Sequence, residues 1–387
     1  MFQIKKLNSI DEVVHELLPA DNFDLTAAVE DPDGVLVRSA NMHDMVFASN
    51  LAAIARAGAG VNNIPVDRAS DSGIVVFNTP GANANAVKEL AVAGLLLSGR
   101  RIIEGVAWAN SIKDKGAAVP ALVEKGKNDF VGPELLGRRL GIIGLGAIGA
   151  MVANAAVALG LEVVGYDPFI SVEAAWGLSR SVKRGTDLDD LIRNSDFLTL
   201  HVPLIEKTKG MIGQKQFDEM KEGAVLLNFA RGELVEQDAL LAALDSGKLR
   251  RYVTDFPADY LLGRPDVIAI PHLGASTPES ERNCAIMAAK QLKAYLEDGD
   301  IVNSVNYPDC SMPRSGAFRL AVLHRNVTNM VGQITSALAA GGHNIANMIN
   351  KSRGAYAYTL IDLDDEPSCA CVDEIAGIEG VRRVRKL

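Results

Sequence analysis

The stretch Leu140-Gly141-Ile142-Ile143-Gly144-Leu145-Gly146-Ala147-Ile148-Gly149 constrains this chain more than any other. A short apolar run reads as a buried strand, meets Gly-x-Gly-x-x-Gly, and continues into an apolar-periodic helix from Ala150 to about Leu159. Each glycine has a physical task in such a turn. Gly144 allows the tight passage from strand to helix, Gly146 leaves the backbone open to a pyrophosphate, and Gly149 lets helix and strand pack closely. The helix N-terminus then presents free N–H groups and a partial positive charge. Taken alone the fingerprint is weak, but its context extends it. Gly160 stops the helix, and a second apolar run, Leu161 to Tyr166, ends at Asp167, 18 residues past Gly149 (167 − 149). A carboxylate at that distance suits an adenosine ribose. No Arg or Lys follows it to welcome a 2′-phosphate, so the spacing predicts NAD as the cofactor rather than NADP.

The chain has 387 residues, enough for two or three domains at the usual size. Its net charge of −9 argues against a general nucleic-acid surface and requires a local cationic pocket for any anionic substrate. No signal peptide is apparent at the N-terminus, and the longest strongly apolar run, Leu90 to Leu97, is far short of the ~20 residues that span a bilayer. The expectation is a cytoplasmic protein without membrane or nucleic-acid partners. Cys284, Cys310, Cys369 and Cys371 lack metal-site spacing and read as reduced thiols, so no metal is expected.

Strand and helix patterns alternate from the start. Val35 to Val37 ends at Arg38-Ser39, Leu51 to Ala55 leads to Gly58-Ala59-Gly60, and Val75 to Phe77 ends at Asn78-Thr79-Pro80. Helical spacing starts near Asn83 and continues toward Ala109, and residues 111–130 read as a polar surface excursion. Further strands are expected at Phe197 to His201, Ala224 to Phe229, Tyr252 to Thr254 and Val267 to Ile270, and an Ala-rich helix at Glu279 to Leu296. This alternation predicts a doubly wound parallel α/β sheet. Pro308, Pro313 and Gly316 mark a linker, and from about residue 318 the pattern becomes βαββαβ, a ferredoxin-like module.

Three polar groups lie just beyond strand ends. Arg231 can grip a carboxylate with two prongs, His272 can take a proton near neutral pH, and Asp259 lies in the loop between them. A carboxylate beside an imidazole favours its charged form.

With these residues in view, the chain over about residues 1–305 resembles the D-isomer-specific 2-hydroxyacid dehydrogenases. The likeness rests on the glycine fingerprint, Asn228-Phe229-Ala230-Arg231-Gly232, Pro271-His272-Leu273-Gly274-Ala275-Ser276-Thr277, Ala59-Gly60-Val61-Asn62-Asn63 and Asn78-Thr79-Pro80. It implies a flavodoxin-like substrate domain, residues 1–88 and 275–305, interrupted by a Rossmann NAD domain, 89–274, with the active site in the cleft. A linker at 306–317 and a regulatory module at 318–387 follow. Cofactor contacts are implied at Gly144, Gly146, Ala147, Ile148, Gly149, Asp167, His201, Val202, Pro203, Thr208, Phe229 and Ala230. Arg231 would hold the substrate carboxylate and His272 would remove the hydroxyl proton. Backbone groups at Ala59 and Gly60 would assist, with a further contact at Asn83. Val37-Arg38-Ser39-Ala40 matches a phosphate-contacting segment, which implies a phosphorylated D-2-hydroxy acid as substrate. The alternatives are a reductase of unphosphorylated acids such as glyoxylate or hydroxypyruvate, and an NAD(H)-sensing corepressor.

The family usually carries Glu followed by Pro as the histidine's partner. Here the loop reads Phe256-Pro257-Ala258-Asp259-Tyr260; Asp259 is the best match, one methylene shorter, and Asp255 is the competing candidate. The C-terminal module resembles an ACT domain. It matches the tails of serine-regulated family members at His324, Asn326 and Asn344, which implies an L-serine site and a homodimer or homotetramer. Thr328-Asn329 replaces the usual Pro-Gly before the first helix; Asn tolerates the left-handed backbone that Gly would supply.

Overall fold

The structure, a computed structural model, describes residues 1–26 and 28–387. Strands β1 (Phe2–Leu7), β2 (Phe23–Thr26), β3 (Gly34–Val37), β4 (Ala53–Arg56) and β5 (Val75–Phe77) form a parallel sheet in the order β2-β1-β3-β4-β5. Strands β6 (Arg139–Ile143), β7 (Glu162–Tyr166), β8 (Lys183–Arg184), β9 (Phe197–Leu200), β10 (Ala224–Asn228), β11 (Leu249–Thr254) and β12 (Val267–Ala269) form a second parallel sheet, ordered β12-β11-β10-β9-β6-β7-β8. The third sheet is antiparallel, with β13 (Phe318–Arg325), β14 (Ile345–Arg353), β15 (Tyr356–Leu363) and β16 (Val381–Lys386) in the order β14-β15-β13-β16. The expected α/β class and small C-terminal sheet are both present.

The local sequence explains these strands. Gly34–Val37 and Ala224–Asn228 are buried at every position. Uninterrupted burial is the mark of parallel strands covered on both faces. In the second sheet the strand order reverses at β6, which lies between β7 and β9. Such a switch point opens a crevice at the strands' carboxyl ends, where the glycine fingerprint begins.

The chain folds into two compact units, residues 84–277 and residues 1–83 with 278–387. In the first of these, the helix Ala84–Gly99 packs Val87, Ala91 and Leu95 against Leu140, Leu227 and Phe229. The helical pattern expected to run to Ala109 is broken after Gly99, and a second helix, Ile102–Ser111, follows. The surface excursion contains a further helix, Val119–Gly126, and neither of these two helices buries a residue.

In the other unit the C-terminal sheet has two apolar faces. Leu320, Val322, Ile361 and Leu363 pack under the helices Met330–Ala340 and Cys369–Ala376. Ala321, Leu323, Tyr358 and Leu360 join the core of the first sheet, together with Leu292, Tyr295 and Tyr307. Arginines rim this second face. Arg385 donates to the carbonyls of Tyr295 and Leu296, both at 2.9 Å, in the last turns of the helix Pro278–Asp298. Arg319 donates to the Asp298 carbonyl at 2.9 Å, and Arg383 reaches the Ser72 carbonyl, at the end of the helix Val66–Asp71. Helix C-termini carry unpaired carbonyls and partial negative charge, so cations are favoured there. Gly73 ends one of these helices at φ 66°, and a Cβ on it would lie 2.8 Å from the Arg383 Cβ.

The segment 306–317 is irregular, as its prolines imply, but it is not an exposed tether. Asn306, Tyr307, Cys310 and Met312 are buried, and Asn306 accepts from the Val76 amide and donates to the Ile74 carbonyl. Proline and glycine report irregular backbone, and exposure is decided by what packs on it.

Candidate active site

Every residue expected at the cofactor and at the proton-transfer step belongs to the unit 84–277. The turn after β6 is built as the glycines require. Gly144 has φ 92°, and a Cβ there would lie 2.5 Å from the His201 carbonyl oxygen. A Cβ on Gly149 would lie 2.0 Å from the Gly144 carbonyl oxygen, whereas one on Gly146 would meet nothing within 4 Å. Gly144 and Gly149 therefore set the close packing, and Gly146 faces open space. The helix Ala147–Ala158 starts without a side-chain cap, so its first amides, Ala147 and Ile148 included, remain for a ligand. Asp167, just past β7, accepts from the Leu145 amide through Oδ2 and from the Phe169 amide through Oδ1, both at 2.8 Å. The carboxylate is thereby fixed, and each oxygen keeps a further lone pair. This cradle fits a dinucleotide.

On the other side of β6, His201 directly follows strand β9. Its Nε2 lies 3.0 Å from the Thr199 hydroxyl, and burial pushes the ring's pKa down to about 4, which keeps it neutral. Val202 is half-buried and Pro203 exposed; Thr208 folds the loop by donating to the Pro203 carbonyl at 2.6 Å and accepting from the Ile205 amide at 2.9 Å.

Strand β10 delivers Phe229, which is buried, and then Ala230 and Arg231. Asn228 shapes the turn. Its side chain donates to the Arg231 carbonyl at 2.8 Å and to the Tyr252 hydroxyl at 3.2 Å, and accepts from the Ala230 amide. Tyr252 lies buried beneath, and burial pushes its pKa up to about 12, so it stays a neutral partner. The sequence motif contained Asn228, but its work on Arg231 follows from burial that no local pattern reveals.

His272 is exposed beyond β12, with its ring 4.9 Å from the Phe256 ring. Asp259, the expected acid behind it, lies exposed in the turn Asp259–Leu261, and no ion pair joins it to His272 among the described residues. Asp255 occupies the buried position instead. Its Oδ2 accepts from the Gly274 amide at 3.1 Å and its buried Oδ1 has no hydrogen-bond partner. Burial raises its pKa, opposed by that amide and by the charges of His272 and Arg231. Of the two candidate acids, Asp255 is thus the buried one whose pKa responds to His272 and Arg231. Asp255 immediately follows β11, and Asp259 lies four residues further along the chain.

The expected substrate contacts Arg38, Ser39, Ala59 and Gly60 lie past the ends of β3 and β4 in the other unit. Asn8, at φ 71°, accepts from the Ser39 and Ala40 amides at 3.1 and 2.7 Å and so shapes that turn. Asn78 donates to the Ala59 carbonyl at 2.7 Å. Arg38 donates to Glu281 at 2.6 Å, a pairing 243 residues apart in sequence. Asn83 is half-buried at the end of this unit's first segment.

In the C-terminal module His324 is 2% exposed, with Nδ1 at 2.8 Å from the Arg325 carbonyl and Nε2 at 2.9 Å from the Thr359 hydroxyl. Burial lowers its pKa. Asn326 donates to the Gly354 carbonyl and Asn344 to Asp364. Asn329 takes the left-handed conformation, φ 63° and ψ 16°, as the replacement of Gly at that turn requires. All four cysteines are free, no cluster of metal-binding side chains occurs among the described residues, and no helix there is long and apolar enough to cross a membrane.

The sheet order and the glycine cradle define a dinucleotide-binding α/β fold, and comparison with known proteins names its class. Residues 95–274 match the NAD binding domain of D-isomer specific 2-hydroxyacid dehydrogenases. The chain belongs to this family. Over 335 residues it is 36% identical to a D-3-phosphoglycerate dehydrogenase of Methanocaldococcus jannaschii, an alignment covering 84% of this chain and 61% of that protein. With the Escherichia coli D-3-phosphoglycerate dehydrogenase it shares 31% identity over 383 residues, 95% of this chain and 90% of the relative. The solved structure of an NAD+-bound 3-phosphoglycerate dehydrogenase of Entamoeba histolytica superposes with a TM-score of 0.63 at 26% identity, covering 79% of this chain and 98% of that one. The chain spans about three fifths of the length of the first curated relatives it matches.

Proposed function

We propose that the chain oxidises 3-phospho-D-glycerate to 3-phosphohydroxypyruvate with NAD+, the first step of L-serine synthesis, in the cytoplasm. The observation that carries this reading is the grouping of Arg231 and His272 about the buried Asp255, in the same unit as the glycine cradle. The similarity to the E. coli relative over 95% of the chain, C-terminal sheet included, supports the phosphorylated substrate.

In this reading NAD+, when bound, supplies the hydride acceptor. Arg231 holds the substrate carboxylate and the C2 oxygen. His272 accepts the hydroxyl proton while the C2–H electron pair leaves as hydride, and the O–H electron pair becomes the carbonyl π bond. Asp255 stabilises the imidazolium that results. Ser39, Ala59, Gly60 and Asn83 contact the substrate, and Arg38 takes its phosphate. The test is NADH formation from 3-phosphoglycerate by the full chain, with activity expected; absence of turnover overturns the proposal. One observation favours an alternative: Arg38 is already paired with Glu281. If D-glycerate or hydroxypyruvate has the higher kcat/KM, the chain is a reductase of unphosphorylated acids.

The same reading extends to regulation by L-serine at His324, Asn326 and Asn344. Strands β13 and β14 both run antiparallel to β15, so His324, ending β13, and Asn344, preceding β14, lie at opposite ends of the sheet. One chain cannot bring them together. A second copy paired antiparallel along the free edge of β14, centred on Ile349, would bring its Asn344 to Gly354, whose carbonyl holds Asn326. A homodimer or homotetramer also suits the apolar surface of Leu96, Ile103, Val106 and Val131, which are 46–69% exposed. Added serine should lower turnover, and unchanged turnover at saturating serine removes the regulatory part alone.

A further inference from the structure

The ion pair at Arg38 carries an inference about substrate choice. Glu281 stands in the first turn of the helix Pro278–Asp298 and accepts from Arg38 Nη2 at 2.6 Å, with the two side chains 42% and 38% exposed. Its neighbour Arg282 is directed to Asp11, at 3.4 Å. Arg38 is thus the cation that the structure gives to Glu281.

We propose that Glu281 is a specificity-determining residue: a resident carboxylate on Arg38 that the substrate's phosphate has to displace. This rests on the reading of Arg38 as the phosphate anchor. A guanidinium offers five N–H donors in a fixed fork, and Glu281 occupies the outer Nη2 position, from which a phosphate would also be held. A phosphate dianion brought to the same nitrogen meets a like charge within about 4 Å, and like charges at that range repel appreciably even near a surface. The uncharged hydroxymethyl end of an unphosphorylated acid meets no such repulsion. Glu281 therefore narrows the preference for phosphorylated over unphosphorylated substrates. Because both side chains are partly exposed and screened, the effect is about two- to fivefold, the range of exposed charge pairs.

The experiment uses the full chain, Glu281→Gln, Arg38→Gln and the double variant. Inorganic phosphate binding is measured by calorimetry, and KM is measured for 3-phosphoglycerate and for D-glycerate. In Glu281→Gln the phosphate Kd and the 3-phosphoglycerate KM should both fall about two- to fivefold, the KM for D-glycerate should not follow them, and the gain should vanish when Arg38 is also replaced. A phosphate Kd that rises or stays constant, a parallel shift of both substrates, or a gain that survives loss of Arg38 overturns the proposal. Wild-type protein that turns over D-glycerate and not 3-phosphoglycerate refutes the proposed substrate, and the phosphate titration still decides the role of Glu281.

Discussion

Asp255 and Asp259 lie four residues apart and differ in everything that governs a proton-transfer partner. Asp255 is buried, holds the Gly274 amide and feels the charges of His272 and Arg231, whereas Asp259 is exposed. Replacing Asp255 with Asn keeps its shape and removes its charge. It should lower kcat by about a hundredfold or more and move the rise of kcat/KM with pH to lower pH, since the imidazolium loses its counter-charge. Asp259→Asn should stay within about twofold of wild type. A steady-state pH profile of both variants checks this; equal losses would return Asp259 to the site. Arg231, His272 and Asp167 were legible in the sequence because each lies within three residues of a strand end, and strand ends are marked by local apolar runs. Glu281 on Arg38 and Asn8 under Ser39 were not, because each acts across a sequence gap that only folding closes.

Among the elements, the C-terminal sheet behaves as part of the core of the unit formed by residues 1–83 and 278–387. Arg319 and Asp362 form a buried two-pronged pair, 2.6 and 3.0 Å, and Arg319 also satisfies the Met312 and Asp298 carbonyls. Burial alone would raise the Asp362 pKa, but the bonds from Arg319 and the Ser315 amide lower it. Removing one partner of such a pair leaves a buried charge uncompensated, so Asp362→Ala should destabilise this unit by about 3–5 kcal/mol in urea unfolding. Arg385→Ala removes two bonds to the end of the helix Pro278–Asp298 and should cost about 1–3 kcal/mol. A variant Asp362→Ala as stable as wild type would show that the sheet is not held there. The βαββαβ pattern was readable from periodicity. That its helix-free face is covered by Tyr295 and Tyr307 was not, because alternation tells that a face is apolar and not what covers it.

At the scale of the whole molecule, stability should depend on histidine burial. His201 and His324 lie in different units, and in both burial lowers the pKa, for His201 to about 4. Between that value and the unfolded pKa near 6.5 the unfolded chain binds protons that the folded chain refuses, so stability rises with pH through this window and falls on acidification from 7 toward 5. Urea midpoints taken across that range should show the slope, and His201→Asn should reduce it; a flat profile would contradict the burial. The sequence by itself determined the sheet class, the dinucleotide turn, the strand ends near Arg231 and His272, and the βαββαβ pattern of the C-terminal sheet. All of these depend on local periodicity, on glycine's missing side chain or on the chemistry of a single residue. Tertiary structure alone decided that Asp255 is buried and Asp259 exposed, what pairs with Arg38, and that the segment 306–317 is packed. Burial and charge pairing are set by residues distant in sequence, and their identity exists only once the chain has closed on itself.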